Sequence, residues 1–294
     1  MTGASEHFTS AWLQPDRGLG LLRMAALYAD ADAIPDEETL DAIFLQVEAG
    51  ALAGKPRRSM WPELAGGLMA SQPGTMIQVL RESGVLEAIL PEVASLFGVP
   101  QIAEDPSEVD LGVHLMRTLN ETAKFGASLE VRFAALVMNV GKSDSPAEHL
   151  PVHYRHVERG GPRIEAICER FEVPESCRDI AMLALAESER VHRVSCVRAG
   201  PIAAMLERLG AFDRAARFHN LLLLCTCDYN AYERPVEQPY EKAAILEAAL
   251  AACGEIDRED VFEATGDAAN ADWLRSARAG AIAQAFRSLR WDSD

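Results

Sequence analysis

The sequence predicts an all-α protein, and three observations support that fold class. Apolar residues recur at helical spacing in almost every segment, beginning with Leu19, Leu22 and Ala26. Alternation of apolar and polar residues never extends beyond four positions, so we predict no sheet. Proline, glycine and aspartate separate the periodic segments, as they do at the ends of helices.

In the first half of the chain these interruptions define the helices. Pro35 and the acidic residues after it begin the second helix, and Gly84 follows the fourth in a C-terminal cap position. Pro91 splits the next helix in two, because proline removes a backbone hydrogen bond. The predicted helices cover residues 19–27, 36–50, 58–70, 75–83, 86–96, 111–125 and 130–140.

Two stretches are predicted as connections. Residues 97–109 are acidic and contain two prolines, and residues 139–161 contain Gly141, Pro146, Pro151 and the Gly160-Gly161 pair. The second stretch is therefore expected to be a long loop with short turns. Helices are predicted beyond it at 163–171, 174–194, 200–209, 214–229, 239–253, 258–263 and 269–289.

The chain has 294 residues and a formal net charge of −17, from 45 acidic and 28 basic side chains. This balance excludes an indiscriminate polyanion binder, because phosphate contacts need clustered lysine and arginine. A hydrophobic content of 49% excludes wholesale disorder. Residues 1–110 carry a net charge of −11, residues 111–200 are neutral and residues 201–294 carry −6. The middle of the chain therefore has the densest basic residues.

The sequence also favours a cytoplasmic location. It has no long uncharged apolar run, so we expect no membrane span, and its first residues lack the basic start of a signal peptide. The six cysteines form no CxxC pair. They are expected to be reduced and mostly buried thiols.

Six segments follow one another in the order found in a known family. They are GLLRMAALYADA (20–31), MIQVLRESGVLEAILPEVASLFGVPQ (76–101), VDLGVHLMRTL (109–119), VRFAALVMNVGKSDSPAEHLPVHYRHVERGG (131–161), ICERFEVPESCRDIAMLALAESERVH (167–192) and YEKAAILEAAL (240–250). This order resembles bacterial CCA-adding enzymes, the multifunctional tRNA nucleotidyltransferases, downstream of their catalytic head. The resemblance implies an N-terminal leader at 1–16, a neck and body at 17–100, an HD-like domain at 101–235 and a C-terminal helical region at 236–294.

The resemblance also implies a nucleotidyltransferase head whose paired carboxylates hold Mg²⁺. Residues 1–16 contain no DxD motif and no Gly-Ser pair. In the neck, the family has an Asp and an Arg that pair with the incoming nucleotide, and Arg17 and Gly20 stand at those positions. The chain is therefore expected not to add CCA by itself. The arginine that follows, Arg23, is expected to pair with Asp16 or Asp30.

The middle of the chain resembles an HD phosphohydrolase domain with altered ligands. His114 and Asp228 match the first histidine and the last aspartate of such a site, while Met138 and Asn139 replace its His-Asp pair. A thioether is a poor ligand for hard cations, and Asn139 lacks the carboxylate charge. We therefore expect the HD chemistry to be lost and no cofactor to be bound.

Two other interpretations of these residues stay open. His114, His153, His156 and Asp228 could form a shifted divalent-metal site, or they could be hydrogen-bonded relics in a cleft. Lys142 could bind a phosphate or stabilise the end of the preceding helix. The arginines of the same region could bind an anion or RNA, or form ion pairs on a solvated helix surface; they are Arg155, Arg159 and Arg163.

These features favour a noncatalytic binding protein that has the family's helical scaffold. The first candidate ligand is tRNA. The second is a protein partner, with the chain as a subunit or pseudoenzyme partner of a separately encoded enzyme, or a second copy of the chain. Either would cover an apolar neck surface near Trp12, Leu13 and Leu19. A third interpretation keeps enzyme status, as a metal-dependent hydrolase or oxygenase that uses the shifted site.

Overall fold

The computed structural model describes residues 16–103, 107–196, 198–232, 239–254, 256 and 271–291. Within these ranges the protein is built from helices and one two-stranded hairpin, which confirms the all-α fold class. The helices are α1 (Arg17–Ala31), α2 (Glu37–Glu48), α3 (Trp61–Leu68), α4 (Pro73–Glu82), α5 (Val85–Ile89), α6 (Pro91–Ala94), α7 (Leu111–Lys124), α8 (Leu129–Val137), α9 (His156–Phe171), α10 (Glu175–His192), α11 (Ala199–Leu209), α12 (Ala215–Asn230), α13 (Glu241–Ala252) and α14 (Ala271–Trp291). Short 3-10 turns cover Arg57–Ser59, Val140–Lys142 and Ala147–His149.

Aspartate caps begin three of these helices. The Oδ1 of Asp16 accepts from the backbone N–H of Leu19 at 3.2 Å, and that of Asp36 accepts from Thr39 at 2.8 Å. Asp110 caps α7 in the same way. Each carboxylate satisfies an amide that has no partner inside its helix, and its charge complements the helix dipole. The predicted start of the second helix after Pro35 is thus confirmed.

A short hairpin precedes α7, where the sequence predicted no sheet. β1 (Pro100–Ile102) pairs antiparallel with β2 (Glu108–Asp110), and Gln101 lies opposite Val109. The prediction of no sheet was wrong at this point. Three residues are too few to show the two-residue alternation on which strand prediction depends.

The predicted loop at 139–161 is shorter than expected. α9 begins at His156 and continues through Gly160, Gly161 and Pro162. The helix approaches the Val140–Lys142 turn so closely that a Cβ on Gly141 would lie 2.0 Å from the carbonyl oxygen of His156. This packing outweighs the low helix propensity of the glycine pair.

Contacts divide the described residues into two compact units. The first comprises the described residues as far as Ala186 together with the segment that starts at Cys227. The second comprises Glu187–Thr226 together with the described residues from 239 onward. This division differs from the predicted segments. The neck and most of the HD-like region share one unit, and residues 187–226 group with the C-terminal helices.

Helices α1, α4, α7 and α8 supply much of the core of the first unit. Arg132 of α8 is only 5% exposed. Its guanidinium donates to the carbonyl oxygens of Leu68, Ala70 and Ala127, each at 2.9 Å. One buried cation therefore joins the end of α3, the segment after it and the start of α8.

Helices α11, α13 and α14 pack together in the second unit. Glu207 accepts from Arg275 and Arg278, and the guanidinium of Arg278 lies 3.6 Å from the centre of the Phe212 ring. The helices predicted at 239–253 and 269–289 are confirmed, while the one predicted at 258–263 lies outside the described residues.

Two of the composition-based expectations can be compared with the structure. Five of the six cysteines are buried, and Cys196 is exposed. All six are free thiols. Over the described ranges, no helix is both long enough and apolar enough to cross a bilayer.

Candidate functional site

The structure brings His114 and Asp228 together across 114 positions of sequence. His114 lies on the buried side of α7, is 3% exposed, and its Nε2 is 2.9 Å from Oδ1 of Asp228 on α12. The imidazole also lies against the ring of Tyr232, with 4.1 Å between ring centres. The two residues expected from the first and last ligands of an HD site are thus direct partners.

The contact with Asp228 determines that Nε2 of His114 carries a hydrogen. A carboxylate oxygen accepts, so Nε2 of His114 carries the hydrogen and donates it to Asp228. Nδ1 of His114 is buried and has no hydrogen-bond partner among the described residues.

Met138 and Asn139 follow α8 directly and are both buried. The amide of Met138 continues the helix by donating to the carbonyl of Ala134 at 2.9 Å. Asn139 begins the Val140–Lys142 turn, whose last amide donates to the Asn139 carbonyl at 2.8 Å. The positions that would carry the HD pair therefore lie at the junction of a helix and a tight turn.

His153 and His156 have backbone and hydroxyl partners of their own. Nε2 of His153 is 3.0 Å from the carbonyl oxygen of Pro100, so this nitrogen donates and Nδ1 accepts from the Ser145 hydroxyl at 2.8 Å. Nδ1 of His156 donates to the carbonyl of His153 at 3.0 Å. Both imidazoles hold the 145–156 segment in place.

The four candidate metal ligands are not assembled as one set. Throughout the described part of the chain, no three His, Cys, Asp or Glu side chains converge so that they could hold a metal ion. A Zn²⁺ site needs at least three protein ligands around one point. His114 pairs directly with Asp228, whereas His153 and His156 have separate partners.

The four candidate anion-binding cations are engaged within the protein. Nζ of the buried Lys142 donates to Oε1 of Gln101 at 3.1 Å. Arg155 pairs on the surface with Glu158. Arg159 and Arg163 extend from α9 to the turn before it. They donate to the carbonyls of Gly141 and Val140 at 3.0 and 2.9 Å, and Arg163 also pairs with Asp144.

The predicted neck positions lie on α1. Gly20 is buried within the helix, and the Arg17 side chain lies outside the described atoms. Arg23 forms an ion pair, but with Glu63 on α3 at 2.6 Å rather than with Asp16 or Asp30. Asp16 pairs instead with Lys55, and that contact holds the pKa of its carboxyl below the usual value. Trp12 and Leu13 lie outside the described residues.

Sequence reasoning missed a basic cavity in the second unit. It has a volume of about 350 Å³ and lies between the end of α10 and the start of α11. Arg190, Arg193 and Arg198 contribute to its wall. From the sequence, these arginines could form ion pairs on a solvated helix surface or bind an anion. The signal was present in their spacing, which sets two arginines one helical turn apart and a third just before the next helix.

The chain is similar over nearly its whole length to curated proteins named multifunctional CCA protein. The relative from Burkholderia cenocepacia strain HI2424 is 38% identical over 283 residues, covering 95% of this chain and 68% of the relative. The chain belongs to the multifunctional CCA protein family. The relative from Burkholderia multivorans is 39% identical with the same coverage, and that from Dechloromonas aromatica is 36% identical over 92% of this chain and 65% of its own length.

The family relationship extends across both compact units. The matched 283 residues include nearly all of the described chain. A scan of family models gave no match. The relatives thus support the resemblance first inferred from the segments between Gly20 and Leu250.

Proposed function

We propose that this chain is a tRNA-binding protein of the multifunctional CCA family and that its HD-like site is noncatalytic. The observation that carries the second half is the hydrogen bond between His114 and Asp228. Nε2 of His114 and Oδ1 of Asp228 are atoms that could bind a metal ion, and here they bind each other. The thioether of Met138 is not a ligand for hard cations. Family membership over 95% of the chain supports tRNA as the ligand.

The tRNA half is tested by filter binding of the full 294-residue chain to tRNA at several salt concentrations. We expect saturable binding at low salt that weakens as salt rises, because phosphate contacts release counterions. A double-stranded DNA of the same length serves as the control for nonspecific charge attraction. Absence of saturable binding at low salt would contradict the proposal.

The noncatalytic half is tested by hydrolysis of 2′,3′-cyclic AMP and bis(p-nitrophenyl) phosphate with Mg²⁺, Mn²⁺, Co²⁺ or Ni²⁺. We expect no metal-dependent turnover from the unaltered chain. Turnover that disappears in His114→Asn would overturn this half. The double variant Met138→His with Asn139→Asp restores the family's ligand types, and we expect it to gain measurable metal binding that His114→Asn then removes.

We also propose that this chain alone does not transfer nucleotides to tRNA. Gly20 has no side chain with which to pair a base, and Arg17 reverses the charge of the family's aspartate. We expect no incorporation of labelled CTP or ATP into tRNA that lacks its 3′ CCA. Incorporation above that of a boiled sample would contradict this part of the proposal.

A protein partner is the second candidate, and two exposed side chains on α2 favour it. Phe44 is 45% exposed and Leu45 is 65% exposed. Contiguous exposed apolar patches mark surfaces that another protein covers, and these two side chains are the place to test for such a patch. Sedimentation equilibrium of the unaltered chain and of Phe44→Ser with Leu45→Ser tests self-association. A monomer mass for the unaltered chain at all concentrations would remove the homodimer version.

A further inference from the structure

The basic cavity of the second unit differs from the cations near the HD-like site. There, Arg159 and Arg163 are bound to backbone carbonyls of the adjacent turn. Here, Arg190, Arg193 and Arg198 line a partly open cavity. A candidate for ligand binding therefore lies outside the site implied by the family resemblance.

Arg190 is positioned by a buried carboxylate that binds two cations. Glu187 is 6% exposed and accepts from Nη1 of Arg190 at 2.8 Å. It also accepts from Nε and Nη2 of Arg208 at 2.8 and 3.0 Å. The carboxylate of Glu187 therefore holds the guanidinium groups of Arg190 and Arg208 together beside the cavity. The same contacts restrict Arg190 before any ligand arrives.

Arg193 and Arg198 are more available to a ligand. Arg193 pairs with Glu189 at 3.0 Å across one helical turn, and both side chains are exposed. Such a surface pair contributes little free energy, so a phosphate can replace it at small cost. Arg198 is exposed, and no carboxylate of the described residues pairs with it.

The start of α11 adds to this positive potential. Arg198 is the N-cap residue and makes no side-chain capping hydrogen bond, and the first turn of the helix contains no acidic residue. The first amides of a helix point outward and carry partial positive charge, which favours an anion. Across Glu187–Thr226 the sequence has six arginines and four carboxylates, a net charge of +2 in a chain of −17.

The remaining wall of the cavity is apolar. Pro201, Ile202 and Met205 of α11 contribute to it. A volume of about 350 Å³ is at the lower end of the range for small-ligand sites. Guanidinium groups suit a phosphate, and the apolar residues suit the flat surface of a base or the carbon face of a sugar.

We propose that the cavity formed by Arg190, Arg193, Arg198 and the start of α11 is a nucleotide-binding site. The phosphate is bound by Arg193 and Arg198, and the nucleoside lies against Pro201, Ile202 and Met205. The nucleotide can be free or part of an RNA strand. The RNA version rests on the proposed tRNA binding, whereas the free-nucleotide version does not.

The first experiment is calorimetric titration of the full chain with AMP, adenosine and inorganic phosphate. We expect saturable binding of one AMP, weaker binding of phosphate and no detectable binding of adenosine. Arg193→Glu and Arg198→Glu are expected to weaken AMP binding by about tenfold or more, as the loss of a charge-assisted hydrogen bond implies. Arg198→Lys, which keeps the charge, is expected to lose less.

The matched control is Arg214→Glu, because Arg214 is an exposed arginine of the same segment that does not line the cavity. It makes the same change in net charge and is expected to keep AMP affinity within about twofold. Absence of saturable AMP binding to the unaltered chain would overturn the proposal. Equal AMP affinity in Arg198→Glu and the unaltered chain would do the same.

Titration of the same variants with tRNA identifies the source of the nucleotide. A larger loss of tRNA affinity in Arg198→Glu than in Arg214→Glu supports an RNA nucleotide in the cavity. Loss of AMP binding with unchanged tRNA affinity supports a free nucleotide. AMP binding without any tRNA binding supports the cavity and contradicts only the proposed tRNA function, so the two failures are distinguishable.

Discussion

Individual polar side chains support the first unit at points where backbone carbonyls would lack donors. Arg132 donates to three such carbonyls and is buried, which lowers the pKa of its guanidinium without removing its charge. Glu92 is the acceptor in a second such contact, because its carboxylate accepts two hydrogen bonds from Arg170, at 2.6 and 2.9 Å. These contacts join segments far apart in sequence.

The Glu92–Arg170 pair predicts a pH-dependent stability. Burial is the largest single influence on Glu92 and opposes its ionisation, but the hydrogen bonds from Arg170, a backbone hydrogen bond and the charges of Arg170 and Arg163 together hold the pKa of the carboxyl below its usual value. Its contribution is therefore complete above the unfolded-state pKa of about 4.3 and is lost as the pH falls through the lower folded-state pKa. Glu92→Gln is expected to lower the free energy of unfolding by about 1 kcal/mol at pH 7, because Arg170 is partly screened by solvent.

Urea denaturation of Glu92→Gln at several pH values measures this effect. The difference from the unaltered chain should narrow as the pH drops below about 4.3. Glu158→Gln is the matched control, since Glu158 pairs with Arg155 on the surface. It should change the free energy by less than about 0.5 kcal/mol at pH 7. A pH-independent difference for Glu92→Gln would contradict the assignment.

Thiol reactivity is a second prediction at the scale of residues. Burial raises the pKa of the Cys168 and Cys177 thiols to about 11 and that of Cys227 to about 12. Thiolate is the reactive form, so these side chains should be inert at pH 8, while exposed Cys196 should react. Ellman's reagent should titrate one fast thiol in the native unaltered chain and none in native Cys196→Ser. In denaturant it should titrate all six thiols of the unaltered chain. More than one fast thiol would be inconsistent with the burial described above.

The sequence could name the residues of the HD-like site but not their partners. His114 and Asp228 followed from the resemblance, yet their mutual hydrogen bond depends on how α7 and α12 pack. Lys142 was expected to bind a phosphate or to stabilise the end of the preceding helix, and Arg159 was expected to bind an anion or RNA or to form ion pairs on a solvated helix surface. Their observed partners include an amide side chain and backbone carbonyls, which leave no signal in a charge pattern.

At the scale of elements, α9 and the Val140–Lys142 turn approach one another closely. A Cβ on Gly141 would meet the backbone of His156 and Gly160 at 2.0 to 2.8 Å, and neither can move without distorting the helix. Beside it, a Cβ on Gly160 would first meet the flexible end of Leu185 at 2.7 Å. The turn therefore requires glycine at 141 more strictly than the helix requires it at 160.

Gly141→Ala should accordingly be strongly destabilising. We expect a loss of several kcal/mol or failure to fold, because backbone atoms fill the space that the methyl group needs. Gly66→Ala is the control, since Gly66 is an exposed position of α3 with open space around it. It should gain about 0.5–1 kcal/mol from helix propensity. Thermal unfolding followed by circular dichroism compares the two, and equal midpoints would contradict the contact.

Helices with clear start and stop signals were predicted well, and elements fixed by tertiary contacts were not. The start of the second helix after Pro35 and the split at Pro91 follow from local chemistry. The start of α9 at His156 does not, because Gly160 and Pro162 lie in its first two turns. The hairpin at 100–110 was missed because its strands are too short to show periodicity.

For the molecule as a whole, the position of the charge matters more than its sum. The chain carries a net charge of −17, yet the segment Glu187–Thr226 carries +2 and contains the basic cavity. An acidic remainder repels a polyanion except where it meets such a segment. Binding of RNA, where it occurs, should therefore depend on few contacts rather than on a broad basic surface.

The salt dependence of tRNA affinity tests this expectation. If about three arginines contact phosphates, the logarithm of the association constant should fall with the logarithm of salt concentration with a slope of roughly −2 to −3. Arg198→Glu should make the slope less steep by about one. A slope steeper than about −6 in the unaltered chain would indicate an extensive phosphate interface, which the charge distribution does not predict.

The close approach at Gly141 accounts for glycine at this position by packing alone. A Cβ there would meet the backbone of His156 and Gly160, so the requirement does not depend on any chemistry of the residues before it. A glycine at this point of the turn is therefore evidence of the contact with α9 and not of a working HD site.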